Sequence, residues 1–283
     1  MKRILFLVLC ICVLSMKADA ERIVGNGAEQ YYEEYGDTLK IDGSTTILPI
    51  AQKAAEIFMM KNPEITVFVS GRGSEIGINA LINGTIDIAI ASREAKAEEI
   101  ESGKEKGVIL MAHKIALDGV VPIVHPSIKI ANVTMEQLRN IYNGKIKNWK
   151  ELGGPDESIV VYTRDIHSGT YTVWSEKVLH RDTIRTDAFV VATSSRMVRS
   201  VAENKYAIGY IGIGYIDKSV KALKIDGKTA TEENVRDGSW PIVRSLYMYT
   251  NGRPGGLTAE FIDFIMSEEG QNIVTKAKYI SIK

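Results

Sequence analysis

Three short turns rich in serine and threonine constrain the fold of this sequence more than any other feature. Each turn follows a predicted strand and directly precedes a predicted helix. The turns are Ser44-Thr45-Thr46, Gly73-Ser74 and Ser168-Gly169-Thr170. A helix N-terminus offers unpaired backbone N–H groups and a partial positive charge, and hydroxyl groups add further donors. Three such ends would form an oxyanion site if the fold brought them together. For any single turn, capping of its own helix is the simpler explanation.

The alternation of strands and helices around these turns predicts an α/β fold with a mainly parallel sheet. Buried apolar runs mark the strands, and apolar residues at helical spacing mark the helices. The predicted strands cover residues 38–41, 65–69, 86–91, 119–124, 159–162, 207–213, 221–225 and 245–250. The predicted helices cover residues 47–60, 75–83, 135–142, 171–179 and 258–266.

Two arginines stand where an anion would need them. Arg93 ends a predicted strand, and Arg164 precedes Ser168 by four residues. Ligands of open α/β sheets bind at the carboxyl ends of strands, and the planar guanidinium matches the geometry of an oxyanion. A lone arginine at a strand end is otherwise commonly solvated or ion-paired. Together with the three turns, these arginines favour anion binding.

The N-terminus has the pattern of an export signal. Lys2 and Arg3 precede an apolar run over residues 4–14, and Ala18-Asp19-Ala20 forms an A-x-A site. This pattern predicts a secretory signal peptide at residues 1–20, since the apolar run is too short to span a bilayer. Both cysteines, Cys10 and Cys12, fall within it. Acylation of one of them is an alternative that the bulky preceding residues disfavour.

The charge balance and the motif search exclude several classes of function. Lys and Arg number 35, as do Asp and Glu, so the formal net charge is zero. Proteins that bind nucleic acid or anionic membranes by bulk charge carry a basic excess. The four histidines show no metal-ligand spacing, and the sequence has no Walker loop and no G-x-S-x-G nucleophile motif. We therefore expect no cofactor, no metal and no catalytic activity.

A set of ordered motifs carries a resemblance to a known family. The matching stretches are residues 42–46 with Pro49, 70–77, 84–93, 118–126, 138–154, 164–170 and 207–210. In this combination the sequence resembles the phosphate-specific substrate-binding proteins of ABC transporters (the PstS type), a branch of the type II periplasmic binding fold. The motifs span nearly all of the chain after residue 20.

The resemblance implies two lobes, each a mainly parallel sheet flanked by helices, with the ligand in the cleft between them. We expect residues 37–118 and 216–283 to form lobe 1, residues 119–215 to form lobe 2, and hinges near 118–121 and 212–216. The family's anion contacts carry over onto eight residues of the three turns and the second-lobe arginine: Ser44, Thr45, Thr46, Ser74, Arg164, Ser168, Gly169 and Thr170.

The sequence departs from the family pattern in two places. Well-known members have a carboxylate that accepts a proton from phosphate after the strand ending in Ala-Ser, and here that position is Arg93. We include Arg93 among the predicted phosphate-binding residues as a second positive charge. Ile166-His167 replaces an acidic residue and a glycine. The first departure removes the carboxylate by which the family separates phosphate from sulfate.

The resulting functional prediction is an exported, non-enzymatic protein that captures inorganic phosphate and delivers it to a membrane ABC permease. We expect a monomer in the periplasm or another extracytoplasmic space, with membrane association left open. The alternatives are a receptor for another tetrahedral oxyanion such as sulfate or molybdate, a secreted phosphatase, and a surface adhesin that shares the fold.

Overall fold

The computed structural model describes residues 37–283 of the chain. The predicted signal peptide at residues 1–20 lies outside this region. The strands of the described region are β1 Asp37–Gly43, β2 Ile65–Val69, β3 Ile88–Ala91, β4 Leu110–Val124, β5 Asn132–Val133, β6 Val160–Arg164, β7 Phe189–Val191, β8 Ala207–Gly212, β9 Lys221–Ala222, β10 Lys224–Ile225 and β11 Val243–Asn251. Nine of these strands form one curled mixed sheet in the order β2-β1-β3-β11-β4-β8-β6-β7, with β9 paired to β4, and β5 and β10 form a separate pair.

Helices pack on both faces of this sheet. They are α1 Leu48–Lys61, α2 Ser74–Ile82, α3 Ala97–Glu105, α4 Met135–Tyr142, α5 Gly169–Lys177, α6 Ser194–Ala202, α7 Glu232–Arg236, α8 Gly256–Met266 and α9 Glu268–Lys276, with 3₁₀ turns at Trp149–Leu152 and Ile213–Tyr215. No helix within residues 37–283 is both long enough and apolar enough to cross a membrane.

The long strand β4 joins the two lobes. Its residues 110–119 pair antiparallel with β11, and its residues 120–124 pair antiparallel with β8. The outer strands of each lobe are parallel: β1 with β2 and β3, and β6 with β7 and β8. Since parallel strands present their carboxyl ends at one edge of a sheet, each lobe directs the turns that follow β1, β3 and β6 toward a common region.

Each lobe has its own apolar core. In the first, Phe58 of α1 packs edge-on against Phe261 of α8, with ring centroids 5.3 Å apart. In the second, Trp174 stacks on Tyr210 at 4.2 Å, and Tyr142 packs edge-on against Trp174. Residues 37–283 contain no cysteine, so burial of large aromatic side chains is a main source of stability for this region.

The structure confirms the α/β class and the two-lobed fold expected from the sequence. The helix predicted at residues 135–142 has these bounds in the structure, and its N-cap Thr134 accepts a hydrogen bond from the Gln137 N–H. Helices α3, α6, α7 and α9 were missed. The lobe boundaries remain a prediction; apolar residues between Leu223 and Ile242 pack into the core that contains Trp174.

Candidate functional site

The three hydroxyl-rich turns lie at helix N-termini, as predicted, but two of them do not cap their own helix. The N-cap positions of α1 and α2 are Ile47 and Gly73, and neither makes a side-chain capping bond. Ser168 does cap α5, since its hydroxyl accepts from the Tyr171 N–H. All hydroxyl-bearing residues of the three turns are buried. The alternative of plain N-capping therefore accounts for one turn only.

The hydroxyls of the turn before α1 and of Ser74 at the start of α2 instead contact groups from other elements. Ser44 donates to Ser92 Oγ at 2.9 Å, and Ser74 Oγ accepts from the Ser92 N–H at 3.1 Å. Thr46 Oγ1 lies 3.1 Å from Thr170 Oγ1, which connects the first lobe to the second. The structure thus brings the turns together in one buried cluster between the lobes.

Gly169 allows the close approach of α5 to the first lobe. A Cβ built on this residue would overlap the Ser74 hydroxyl and would lie 2.7 Å from Ser92 Oγ. Any larger residue would push the N-terminus of α5 away from α2. The glycine predicted from the motif is therefore required here by space, because the backbone must approach the hydroxyl cluster closely.

Arg164, at the end of β6, is 2% exposed and donates only to neutral acceptors within hydrogen-bond distance. Its Nε donates to the Val191 carbonyl at 3.1 Å, and Nη2 donates to the Ala192 carbonyl at 2.9 Å. Nη1 contacts Ser194 Oγ at 3.3 Å, and Nη2 contacts Thr45 Oγ1 at 3.2 Å. These contacts hold the guanidinium of Arg164, a residue of the second lobe, against Thr45 of the first turn.

The positive charge of Arg164 is poorly neutralised by the protein. The nearest carboxylate, that of Asp165, lies 3.9 Å from Nη2 and is partly exposed. Burial lowers the pKa of Arg164, yet a guanidinium remains protonated in proteins. The Tyr210 hydroxyl accepts from the Arg164 backbone N–H at 3.1 Å, and burial raises the pKa of this tyrosine to about 12. A neutral tyrosine therefore fixes the arginine without cancelling its charge.

Arg93 lies next to Ser92, but its hydrogen bonds lead elsewhere. Its Nη1 and Nη2 form a two-pronged ion pair with Glu99 at 2.7 and 2.6 Å, and Nη1 also donates to the Glu94 carbonyl. Arg93 is 5% exposed and Glu99 is 4% exposed. The structure thus places this predicted site residue at the border of the hydroxyl cluster, with its charge paired.

Four residues that the sequence analysis did not assign to the site complete the cluster: Ser92, Asp118, Ser194 and Arg244. The Ser194 N–H, at the start of α6, donates to Thr45 Oγ1 at 3.3 Å. Arg244 is paired with Asp118, Nε to Oδ2, at 2.8 Å. A signal for Arg244 existed in the sequence. Strand alternation places it on the same face as the buried Leu246 and Met248.

His167 forms a second contact between the lobes, nearer the surface. Its Nδ1 lies 2.8 Å from Glu75 Oε1, and Lys96 Nζ lies 2.8 Å from Glu75 Oε2. Burial alone would raise the pKa of Glu75, but the hydrogen bonds from Lys96 and His167 outweigh burial and hold this pKa below its ordinary value. A cleft of about 650 Å³ lies beside this contact, with Tyr171 and Arg181 on its second-lobe side.

Comparisons with known proteins agree with this geometry. A family model described as a PBP superfamily domain matches residues 29–269. The chain is 34% identical to the phosphate-binding protein PstS of Borreliella burgdorferi, covering 87% of this chain and 90% of that protein. It is 35% identical to PstS of Bacillus subtilis, covering 88% and 82% of the two chains.

Among solved structures, one from Clostridium perfringens contains bound phosphate and is described as a phosphate ABC transporter substrate-binding protein. It superposes with a TM-score of 0.81 at 36% identity, covering 87% of this chain and all of that one. The fold and the buried polar cluster define a two-lobed binding protein of the PBP superfamily. Within it, this chain belongs to the family of phosphate-binding proteins PstS.

Proposed function

We propose that this protein is a phosphate receptor that captures inorganic phosphate between its lobes and delivers it to a membrane ABC permease for import. One observation carries the proposal: helix N-termini from both lobes and the poorly neutralised Arg164 meet in one buried cluster. Such a cluster replaces the hydration shell of an anion with fixed donors, and the buried charge strengthens each hydrogen bond.

The proposed phosphate contacts come from both lobes. The first lobe supplies Ser44, Thr45, Thr46 and Ser74, and the second supplies Arg164, Ser168, Gly169 and Thr170. Arg93 belongs to the proposed site as a border residue with a minor contribution, because Glu99 pairs its charge. Hydroxyl groups suit phosphate because they both donate and accept, so they can bind its oxygens and its proton alike.

The relatives named PstS and the phosphate-bound structure support phosphate over other ligands. We further propose that the chain is exported after cleavage of residues 1–20, acts as a monomer outside the cytoplasm, and has no enzymatic activity. The description of the Clostridium perfringens structure supports a partnership with an ABC permease.

Isothermal titration calorimetry on the chain from residue 21 onward tests the ligand. Phosphate is expected to bind tightly at one site per chain, and sulfate and molybdate are expected to compete weakly. Tighter binding of sulfate or molybdate would reassign the ligand to another tetrahedral oxyanion. An absence of heat with all three anions would refute the proposal.

A chromogenic phosphate ester tests the enzymatic alternative. The expected result is no release of chromophore above the rate in buffer. Turnover that is lost in an Arg164→Ala variant would show that the same site performs phosphoryl transfer.

A further inference from the structure

Arg244 lies where the two lobes meet, and its guanidinium contacts both of them. Nη1 donates to Thr170 Oγ1 at 2.9 Å, and Nη2 donates to Thr46 Oγ1 at 3.2 Å. Thr46 precedes α1 of the first lobe, and Thr170 lies in the first turn of α5 of the second. One planar fork therefore joins the hydroxyls of two helix ends that we propose to bind phosphate.

Around this fork, the buried positive charges outnumber the fully buried negative ones. Asp118 is fully buried, contacts Nε and Nη2 of Arg244, and also accepts from the Ile213 N–H. Arg164, the other guanidinium of the cluster, has neutral partners within hydrogen-bond distance and the partly exposed Asp165 at 3.9 Å. The fully buried carboxylate of Asp118 thus pairs with Arg244, and the charge of Arg164 is left largely uncompensated, which is unfavourable for a buried group.

The two arginines also act on each other. Burial lowers the pKa of Arg164, and the positive charge of Arg244 acts in the same direction. Arg164 bonds to Thr45 while Arg244 bonds to the adjacent Thr46, so the two cations contact neighbouring residues of the first turn. Since they sit on strands of different lobes, closure brings like charges together. An anion between them turns this repulsion into attraction to a shared ligand.

Building on the phosphate-binding function proposed above, we propose that Arg244 is a second guanidinium ligand of the bound anion. Its fork reaches the hydroxyls at the N-termini of α1 and α5, where the phosphate oxygens would bind. By contacting the anion from the first lobe while Arg164 contacts it from the second, Arg244 makes closure of the lobes depend on the ligand.

The experiment is calorimetric titration of inorganic phosphate into the wild-type chain and three variants: Arg244→Lys, Arg244→Gln and Asp118→Asn/Arg244→Gln. Arg244→Gln is expected to weaken binding about 10- to 100-fold, the effect of losing hydrogen bonds to a charged group. Arg244→Lys is expected to lie between this variant and the wild type, because it keeps the charge and loses the planar fork.

The double variant separates ligand contact from neutralisation of Asp118. In Arg244→Gln alone, an unpaired buried carboxylate would itself repel phosphate. Asp118→Asn/Arg244→Gln removes both charges and leaves the net charge of the site as in the wild type. If Arg244 binds the anion directly, the double variant stays at least tenfold weaker than the wild type.

Recovery of the double variant to within about twofold of the wild-type affinity would overturn the inference, since Arg244 would then serve only to neutralise Asp118. If Arg244→Gln does not fold, as judged by circular dichroism, the double variant and Arg244→Lys still decide the question. Arg139→Gln, which removes a surface partner of Asp182, is the matched control and is expected to bind like the wild type. Absence of binding by the wild type would instead refute the proposed function itself.

Discussion

Arg93 follows β3 by two residues and Arg164 ends β6, and both are buried, yet their surroundings differ. Arg93 meets the carboxylate of Glu99 in a two-pronged ion pair. Arg164 meets carbonyl and hydroxyl oxygens, and its nearest carboxylate is 3.9 Å away. Burial and position after a strand therefore do not by themselves identify an anion-binding arginine. Both outer nitrogens of Arg93 bind a carboxylate, whereas Nη1 of Arg164 and Nη1 of Arg244 meet only neutral acceptors and can turn to an external anion.

Arg164→Ala gives the largest expected effect. The change removes a buried positive charge from the proposed ligand, so phosphate affinity should fall about 100- to 1000-fold, or roughly 3–4 kcal/mol. Calorimetric titration measures the loss, and circular dichroism checks the fold. An affinity equal to that of the wild type would remove Arg164 from the site.

Arg93→Gln is expected to act mainly on stability. The change leaves the buried carboxylate of Glu99 without its ionic partner, so the free energy of unfolding should drop by about 2 kcal/mol. Urea denaturation measures this drop. Phosphate affinity should change by only a few fold. If affinity falls as far as in Arg164→Ala, Arg93 also contacts the anion and the contrast between the two arginines fails.

Gly169→Ala tests the close approach of α5 to the first lobe. The added Cβ would overlap the Ser74 hydroxyl, so the closed arrangement should be disfavoured and phosphate affinity should fall about tenfold, by roughly 1–2 kcal/mol. Gly255→Ala is the matched control, since a Cβ there has no neighbour within 4 Å. Equal affinities in the two variants would show that the lobes close without this contact.

Loss of the contact between Glu75 and His167 is expected to have the smallest effect on the free energy of unfolding, because both side chains are at least partly exposed. The folded pKa of Glu75 is below its ordinary value of 4.5. Its contribution to stability is therefore present above that value and is lost as the pH falls through the lowered pKa. Glu75→Gln should reduce the free energy of unfolding by less than about 1 kcal/mol at pH 7.

The pH dependence of stability shows whether the contact between Glu75 and His167 depends on the charge of Glu75. The difference between Glu75→Gln and the wild type in urea denaturation should shrink below about pH 4, once the carboxyl of the wild type is protonated. A difference that persists unchanged at lower pH would show that the contact does not depend on the charge of Glu75.

Local patterns in the sequence predicted much of the fold. The helix at Met135–Tyr142 was predicted with correct bounds, because Thr134 and the apolar spacing are local signals. Helix α3 was missed because it is dominated by charged residues and only Glu99 and Gly103 are buried. The long strand β4 was recognised only over residues 119–124; residues 110–114 are all partly or fully exposed, and the charged Asp118 interrupts the apolar run before Gly119.

The candidate site could be predicted only in part, for the same reason. The hydroxyl turns and Arg164 lie in short motifs that are visible without a structure. Arg244 lies 198 residues from Thr46 and 74 residues from Thr170 in the chain, and no local pattern connects them. The strand alternation could predict that Arg244 lies on a buried strand face, but no sequence pattern could predict its partners.

The sequence by itself determined the α/β class, the helix ends that carry hydroxyls, and the presence of arginines at strand ends, because these depend on residues close together in the chain. The tertiary structure decided which arginine is neutralised and which is left with neutral partners, and it brought Arg244 into the cluster. Electrostatic pairing depends on distances of a few ångströms across the fold, and such distances arise only when the two lobes and their sheet are assembled.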